Sequence, residues 1–71
     1  MEDALQDHIG EEVSFNDLII GKVVKGKLAL DETLGFFYID QGNLEAKYRP
    51  TICRESGAEE YHVVDGEVRK I

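Results

Sequence analysis

Three side chains in this sequence are soft metal ligands, the nitrogen and sulfur donors that zinc sites use: His8, Cys53 and His62. Zinc sites are usually built from closely spaced ligand pairs, such as two cysteines two residues apart or two histidines three to five residues apart. The three residues are scattered along the chain and form no such pair. We therefore predict no metal site and no cofactor.

Cys53 and His62 could still form a thiol–imidazole pair if the chain folds back between them. A thiol becomes a nucleophile when a base lies within hydrogen-bonding reach and the surroundings are positive, and Arg49 and Arg54 are near Cys53 in the sequence. A chain of 71 residues has little room for a substrate cleft and an oxyanion hole. A thiol enzyme is therefore the least favoured hypothesis, and we predict no catalytic residues.

Basic residues suggest a second kind of chemistry, the binding of phosphates. If the strands that carry them are neighbours, five positive side chains line one face, and Phe36, Phe37, Tyr38 and Tyr48 could stack on bases. These five residues are Lys22, Lys25, Lys27, Lys47 and Arg49. The pattern is that of a small-barrel module for RNA or single-stranded nucleic acid. The absence of any net positive charge argues against it.

The net charge of −7 is concentrated at the start of the chain. The first seventeen residues contain six carboxylates and no lysine or arginine, whereas the rest contains nine acidic and eight basic residues. The sequence therefore predicts a nearly neutral body with an acidic N-terminal segment. Charge localised in this way suits steering toward a positive partner better than it suits mimicry of DNA over a whole surface.

Residues 2–9 are predicted to form a short helix that ends at Gly10. Leu5 and Ile9 share one face of this helix, and a helix of two turns is stable only if such a face is buried. The face could pack on this chain, on a second copy or on another protein. Four residues are therefore the predicted partner-binding surface: Leu5, Ile9, Glu11 and Glu12.

From residue 18 onward the chain is predicted to form short strands separated by turns. The expected fold class is α+β, mostly β: an antiparallel meander of about five strands, as a small barrel or a curled sheet, with one short N-terminal helix. Residues 1–71 make one domain, divided into an acidic segment with the helix (1–17) and a β-rich body (18–71). A domain this small buries only about 60% of its unfolded surface, so self-association is plausible.

Five segments of the body have strand patterns. The first, residues 18–30, is interrupted by Gly21 and Gly26 and is either one strand bent at a glycine or two strands joined by a turn at Lys25–Gly26. Residues 36–39 form a central strand, residues 44–49 alternate as a half-buried strand, and residues 51–54 resume after Pro50, before a loop at 55–58. Residues 61–71 form a hairpin closed by Asp65–Gly66, a pair typical of a type I′ turn.

These observations favour a small acidic protein-interaction module without enzymatic activity, such as a regulator, an inhibitor or an accessory subunit. Its expected partner is another protein or a second copy of itself, with nucleic acid less favoured and no membrane. The sequence has neither the basic and apolar leader of a secreted protein nor a run of apolar residues long enough to span a bilayer. Because the single cysteine also suits a reducing compartment, we predict a cytoplasmic location.

Overall fold

Short strands and two 3-10 helices make up the computed structural model, which describes residues 3–42 and 50–71. The strands in chain order are β1 (Asp3–Ala4), β2 (Glu12–Asp17), β3 (Lys22–Asp31), β4 (Phe36–Asp40), β5 (Thr51–Arg54), β6 (Tyr61–Val64) and β7 (Glu67–Lys70). The first 3-10 helix (Leu5–His8) follows β1, and the second (Glu55–Glu60) joins β5 to β6.

All seven strands belong to one sheet, in the order β1-β6-β7-β2-β3-β4-β5. Every pairing is antiparallel except that of β2 with β7, which is parallel. Among the described residues β1 and β5 are the two edges of this sheet, so it does not close into a barrel. The prediction of a mostly β domain with a short N-terminal helical turn is confirmed, but the sheet is mixed and is not a simple meander.

Strand β2 lies near the middle of the sheet, between β7 and β3. Its residues were assigned from the sequence to the acidic segment, with the body starting at residue 18. Val13 is buried within β2, and Phe15 packs against the core from the same strand. The boundary at residue 18 therefore does not match a structural division, because the chain enters the sheet before it.

Strand β3 runs without interruption through Gly26, so the turn predicted at Lys25–Gly26 does not exist. The hairpin turn lies instead at residues 18–21, between β2 and β3. Lys22 to Lys27 pair with β2, and Lys27 to Asp31 pair with β4. One long strand therefore takes part in two successive pairings, which is the first of the two alternatives that the sequence allowed.

The other strand predictions have different outcomes. The central strand predicted at 36–39 is β4, which pairs with β3 and β5. The predicted resumption at 51–54 is β5, whereas the loop predicted at 55–58 is the start of the second 3-10 helix. The strand predicted at 44–49 lies outside the described residues.

The predicted C-terminal hairpin is β6–β7, with φ of 51° at Asp65 and 76° at Gly66, as a type I′ turn requires.

The N-terminal helix is shorter and tighter than predicted. It is a single 3-10 turn, Leu5–His8, and not an α-helix over residues 2–9. Leu5 has no exposed surface and belongs to the core, together with the inward-facing residues of the strands. The core comprises Leu5, Val13, Val24, Leu28, Phe37, Ile39, Ile52, Ala58, Val63 and Val68.

Candidate functional site: an aliphatic hairpin tip

The turn between β2 and β3 is built by an aspartate and a glycine. The carbonyl oxygen of Asp17 accepts a hydrogen bond from the amide of Gly21 at 2.8 Å, and Gly21 has a φ of 68°. The carboxylate Oδ1 of Asp17 also accepts bonds from the amides of Ile19 at 2.9 Å and Ile20 at 3.4 Å. An aspartate that binds the amides after it and a glycine in the left-handed region together specify a tight turn.

The turn between β3 and β4 repeats this construction. Asp31 accepts a bond from the amide of Gly35 at 2.7 Å through its carbonyl, and Gly35 has a φ of 72°. Oδ1 of Asp31 accepts bonds from the amides of Thr33 and Leu34 at 3.0 and 3.1 Å. The two turns thus share the pattern Asp-x-x-x-Gly and the same hydrogen bonds, although their three central residues differ.

The central residues of the first turn are all aliphatic and largely exposed. Leu18 is 85% exposed, Ile19 is 90% exposed and Ile20 is 42% exposed. At the first two of these positions the second turn carries Glu32 and Thr33. Since the second turn has the same backbone bonds without these side chains, the fold does not require Leu18 and Ile19. We call Leu18, Ile19 and Ile20 the aliphatic tip.

A cleft of about 420 Å³ adjoins the aliphatic tip. Leu18 and Ile19 form part of its wall, and apolar side chains from several strands form the rest. These are Phe15 from β2, Ile52 from β5, Tyr61 from β6 and Val68 from β7. The strands of opposite halves of the sheet therefore meet around one apolar cleft, with exposed aliphatic side chains at its border.

Charge is balanced around this cleft, in contrast to the whole chain. Among the described residues, two acidic and two basic side chains line it: Asp17, Glu67, Arg69 and Lys70. Arg69 and Glu67 form a salt bridge of 3.2 Å, and Lys22 lies opposite Asp17 in the strand register. The region of the tip and cleft therefore carries none of the large negative excess of the molecule.

The partner-binding residues predicted from the sequence do not form one surface. Leu5 is fully buried in the chain's own core, so it is not available to a partner in the folded state. Ile9 is 46% exposed, and Glu11 and Glu12 are exposed. Oε2 of Glu11 lies 2.7 Å from Nδ1 of His8, which ties this carboxylate to the end of the first 3-10 helix. The prediction of a contact surface therefore applies to Ile9, Glu11 and Glu12.

The predicted nucleic-acid face is only partly described, because Lys47 and Arg49 lie outside the described residues. Lys22, Lys25 and Lys27 are exposed on β3. Lys27 lies opposite Glu12 on β2 and opposite Asp40 on β4, so carboxylates flank it on both neighbouring strands. Binding to phosphates through this face stays a prediction.

Cys53 and His62 lie on strands that are not paired with each other, since β5 pairs with β4 and β6 pairs with β1 and β7. Burial, with a smaller contribution from the negative charge of Glu60, raises the pKa of the Cys53 thiol from 9.0 to about 11. A raised pKa keeps the sulfur protonated at neutral pH. Within residues 3–42 and 50–71 no three His, Cys, Asp or Glu side chains are grouped so as to hold a metal ion.

The aliphatic tip was missed in the sequence because Leu18 and Ile20 fit the alternation of the strand that follows. A signal was nevertheless present, since the spacing Asp-x-x-x-Gly occurs at 17–21 and again at 31–35. The first occurrence was assigned to the strand predicted at 18–30, because its central residues are all aliphatic. The first has the same turn-forming residues but aliphatic residues between them.

Comparison of the chain with models of protein families, with curated proteins and with solved structures finds no match. No helix in the described part of the chain is long and apolar enough to cross a membrane.

Proposed function

We propose that this chain is a small protein-binding domain, without enzymatic activity, that contacts its partner through the aliphatic tip. The observation that carries the proposal is the comparison of the two Asp-x-x-x-Gly turns. They have the same backbone hydrogen bonds, but only the first presents Leu18 and Ile19 at 85% and 90% exposure. Side chains that the fold does not need, and that water disfavours, are best explained by contact with another molecule.

The chemistry of the tip supports binding rather than catalysis. Aliphatic side chains neither donate nor accept protons, and they contribute free energy only when they leave water, about 25 cal/mol for each Å² buried. Leu18 and Ile19 expose nearly all of their surface, and the adjoining cleft adds the half-buried side chains of Phe15 and Tyr61. An apolar centre with charged residues around it is the usual composition of a protein interface.

The two similar turns permit a test in which composition does not change. In the exchange variant, Leu18→Glu and Ile19→Thr are combined with Glu32→Leu and Thr33→Ile, so each turn receives the first two central residues of the other. Net charge and amino-acid content are those of the natural chain. The backbone bonds made by Asp17 and Asp31 should hold both turns in place, and circular dichroism would check that the fold is kept.

Proteins retained from a lysate of the native host by the natural chain and by the exchange variant would then be quantified by mass spectrometry. We expect a specific partner to be lost from the exchange variant, because its aliphatic pair no longer borders the cleft. A control variant with Glu32→Ala and Thr33→Ala should retain that partner. If the exchange variant retains every protein that the natural chain does, the aliphatic tip is not the contact surface and the proposal fails.

A further inference from the structure

We propose that a second copy of this chain occupies the cleft, with the aliphatic tip of each copy inserted beside that of the other. The inference rests on the proposed function, because it assigns a partner to the same tip and cleft. The result is a two-fold dimer in which each copy supplies both the inserted side chains and the cleft that receives them.

The tip and the cleft occupy the same surface of the molecule, since Leu18 and Ile19 line the cleft. A two-fold axis requires one patch that is complementary to itself. When a protruding group and a hollow lie side by side, rotation by half a turn about an axis between them brings each protrusion to the hollow of the other copy. A tip and a cleft on opposite surfaces would instead produce open chains of molecules.

The cleft has room for the side chains of the tip. Its volume of about 420 Å³ lies within the range of about 300–1,000 Å³ that is usual for pockets that enclose small molecules. Phe15, Ile52 and Val68 form an apolar wall that can receive the aliphatic groups. Burial of two tips at once doubles the apolar surface that a single insertion removes from water.

Charge permits contact between two copies at this cleft. Two copies with a net charge of −7 repel each other wherever their acidic surfaces meet. The lining of the cleft holds two acidic and two basic residues, so contact there brings no net charge together. Exposed acids of other regions, among them Glu11, Glu12, Glu32, Glu55 and Glu59, lie outside this lining.

Dimerisation would be measured by sedimentation over a wide range of protein concentration, at low and at high salt. We expect a dimer that tightens as salt rises, because salt screens the repulsion between the two copies and does not weaken an apolar contact. Leu18→Glu with Ile19→Thr should weaken the dimer at least tenfold, as expected for side chains at an interface centre. A natural chain that stays monomeric at every concentration overturns the inference.

A mixing experiment tests the insertion itself. Thr51 is exposed and lines the cleft, so Thr51→Trp should fill the cleft without disturbing the core. The variant with Leu18→Glu and Ile19→Thr has no aliphatic tip to insert, and the Thr51→Trp variant has no open cleft to receive one. Each variant alone therefore loses both insertions of the dimer. A mixture of the two restores one, because the natural tip of the Thr51→Trp chain can enter the cleft of the other chain, which keeps the walls formed by Phe15, Ile52 and Val68. We expect the mixture to form a mixed dimer. If the natural chain dimerises but the mixture does not, the proposed insertion of the tip into the cleft is wrong.

The same experiments separate this inference from the proposed function. A monomeric natural chain that still loses a specific foreign partner upon exchange of the turns would refute self-association and leave the proposed function standing. A monomeric natural chain that floats with vesicles of anionic lipid, while its tip variant does not, would refute both in favour of a lipid surface. A dimer that depends on the tip, in a chain that retains no foreign protein, supports the second copy as the partner.

Discussion

Gly26 lies against the backbone of Asp40 so closely that no side chain fits between them. A Cβ atom at this position would overlap the carbonyl oxygen of Asp40 and would lie 2.8 Å from Cγ2 of Ile39. The next residue, Lys27, is the point at which β3 pairs with both β2 and β4. The close approach of two strands at this crossing therefore depends on a glycine in the middle of β3.

We predict that Gly26→Ala lowers the free energy of unfolding by about 1–3 kcal/mol, because the backbone of β4 must move to admit the methyl group. Gly57→Ala is the matched control. A Cβ atom at Gly57 meets nothing within 4 Å, so the change should be neutral or should stabilise by up to about 1 kcal/mol through the unfolded chain. Urea unfolding of both variants measures the difference, and equal effects would contradict the close approach.

Asp17 should matter more to stability than its equivalent, Asp31. Both carboxylates bind two amides of the turn that follows, but Asp17 is only 4% exposed whereas Asp31 lies in a hydrogen-bonding site open to water. Removal of a buried acceptor leaves its donors without water as a substitute. We expect Asp17→Ala to cost about 1–3 kcal/mol and Asp31→Ala about 0.5–1 kcal/mol.

Asp17→Asn serves as the conservative control, because the amide oxygen of asparagine can accept the same two hydrogen bonds. It should recover most of the stability that Asp17→Ala loses in chemical denaturation. If Asp31→Ala proves as costly as Asp17→Ala, burial of the first carboxylate has no energetic consequence and the turn is held by other contacts.

Local patterns in the sequence were sufficient for the elements whose signal is local. Asp65–Gly66 defines its own hairpin because few other residues adopt the backbone of a type I′ turn. The aromatic and β-branched residues from Phe36 to Ile39 identify β4 because these residue types favour strands. Both elements are found where they were predicted.

The errors arise where the outcome depends on distant parts of the chain. The parallel pairing of β2 with β7 joins residues more than fifty positions apart, and no local pattern in the sequence predicts it. Carboxylates at Glu11, Glu12 and Asp17 suggested a separate acidic segment, although Val13 and Phe15 between them alternate as in a strand. The candidate site was missed for a similar reason, since only the folded chain shows that Leu18 and Ile19 stand outside the core.

Leu5 and Ile9 belong to the same predicted partner-binding surface but should respond differently to replacement by aspartate, because Leu5 lies in the core. We predict that Leu5→Asp alone unfolds the protein, because it places a carboxylate in an apolar core without a partner. Ile9→Asp should change the free energy of unfolding by less than about 1 kcal/mol, since the residue is 46% exposed. Thermal unfolding followed by circular dichroism distinguishes the two variants.

Only the single variant Ile9→Asp can therefore test the predicted N-terminal contact surface. Loss of a partner from Ile9→Asp, while the fold is kept, would support a contact at the Ile9, Glu11 and Glu12 region in addition to the aliphatic tip. A Leu5→Asp chain that melts like the natural protein would instead show that Leu5 is not packed in the core.

The raised pKa of the Cys53 thiol predicts how fast this cysteine is alkylated. Its thiol has a pKa of about 11, raised first by burial and then by the charge of Glu60. Only the thiolate reacts with iodoacetamide, so at pH 8 about one molecule in a thousand is reactive, against about one in ten for a cysteine with the ordinary pKa of 9.0. A thiolate of higher pKa is intrinsically more nucleophilic, which offsets about one order of magnitude.

We therefore expect alkylation at pH 8 to be at least about tenfold slower in the folded protein than in urea, as measured by mass spectrometry. The rate in the folded protein should continue to rise above pH 9, where the rate of the unfolded chain levels off. Glu60→Gln should move this rise to lower pH, because it removes the charge that opposes ionisation, whereas Glu59→Gln should leave the profile unchanged. Rapid alkylation of the folded chain near neutral pH would contradict the raised pKa and would revive the thiol-enzyme hypothesis.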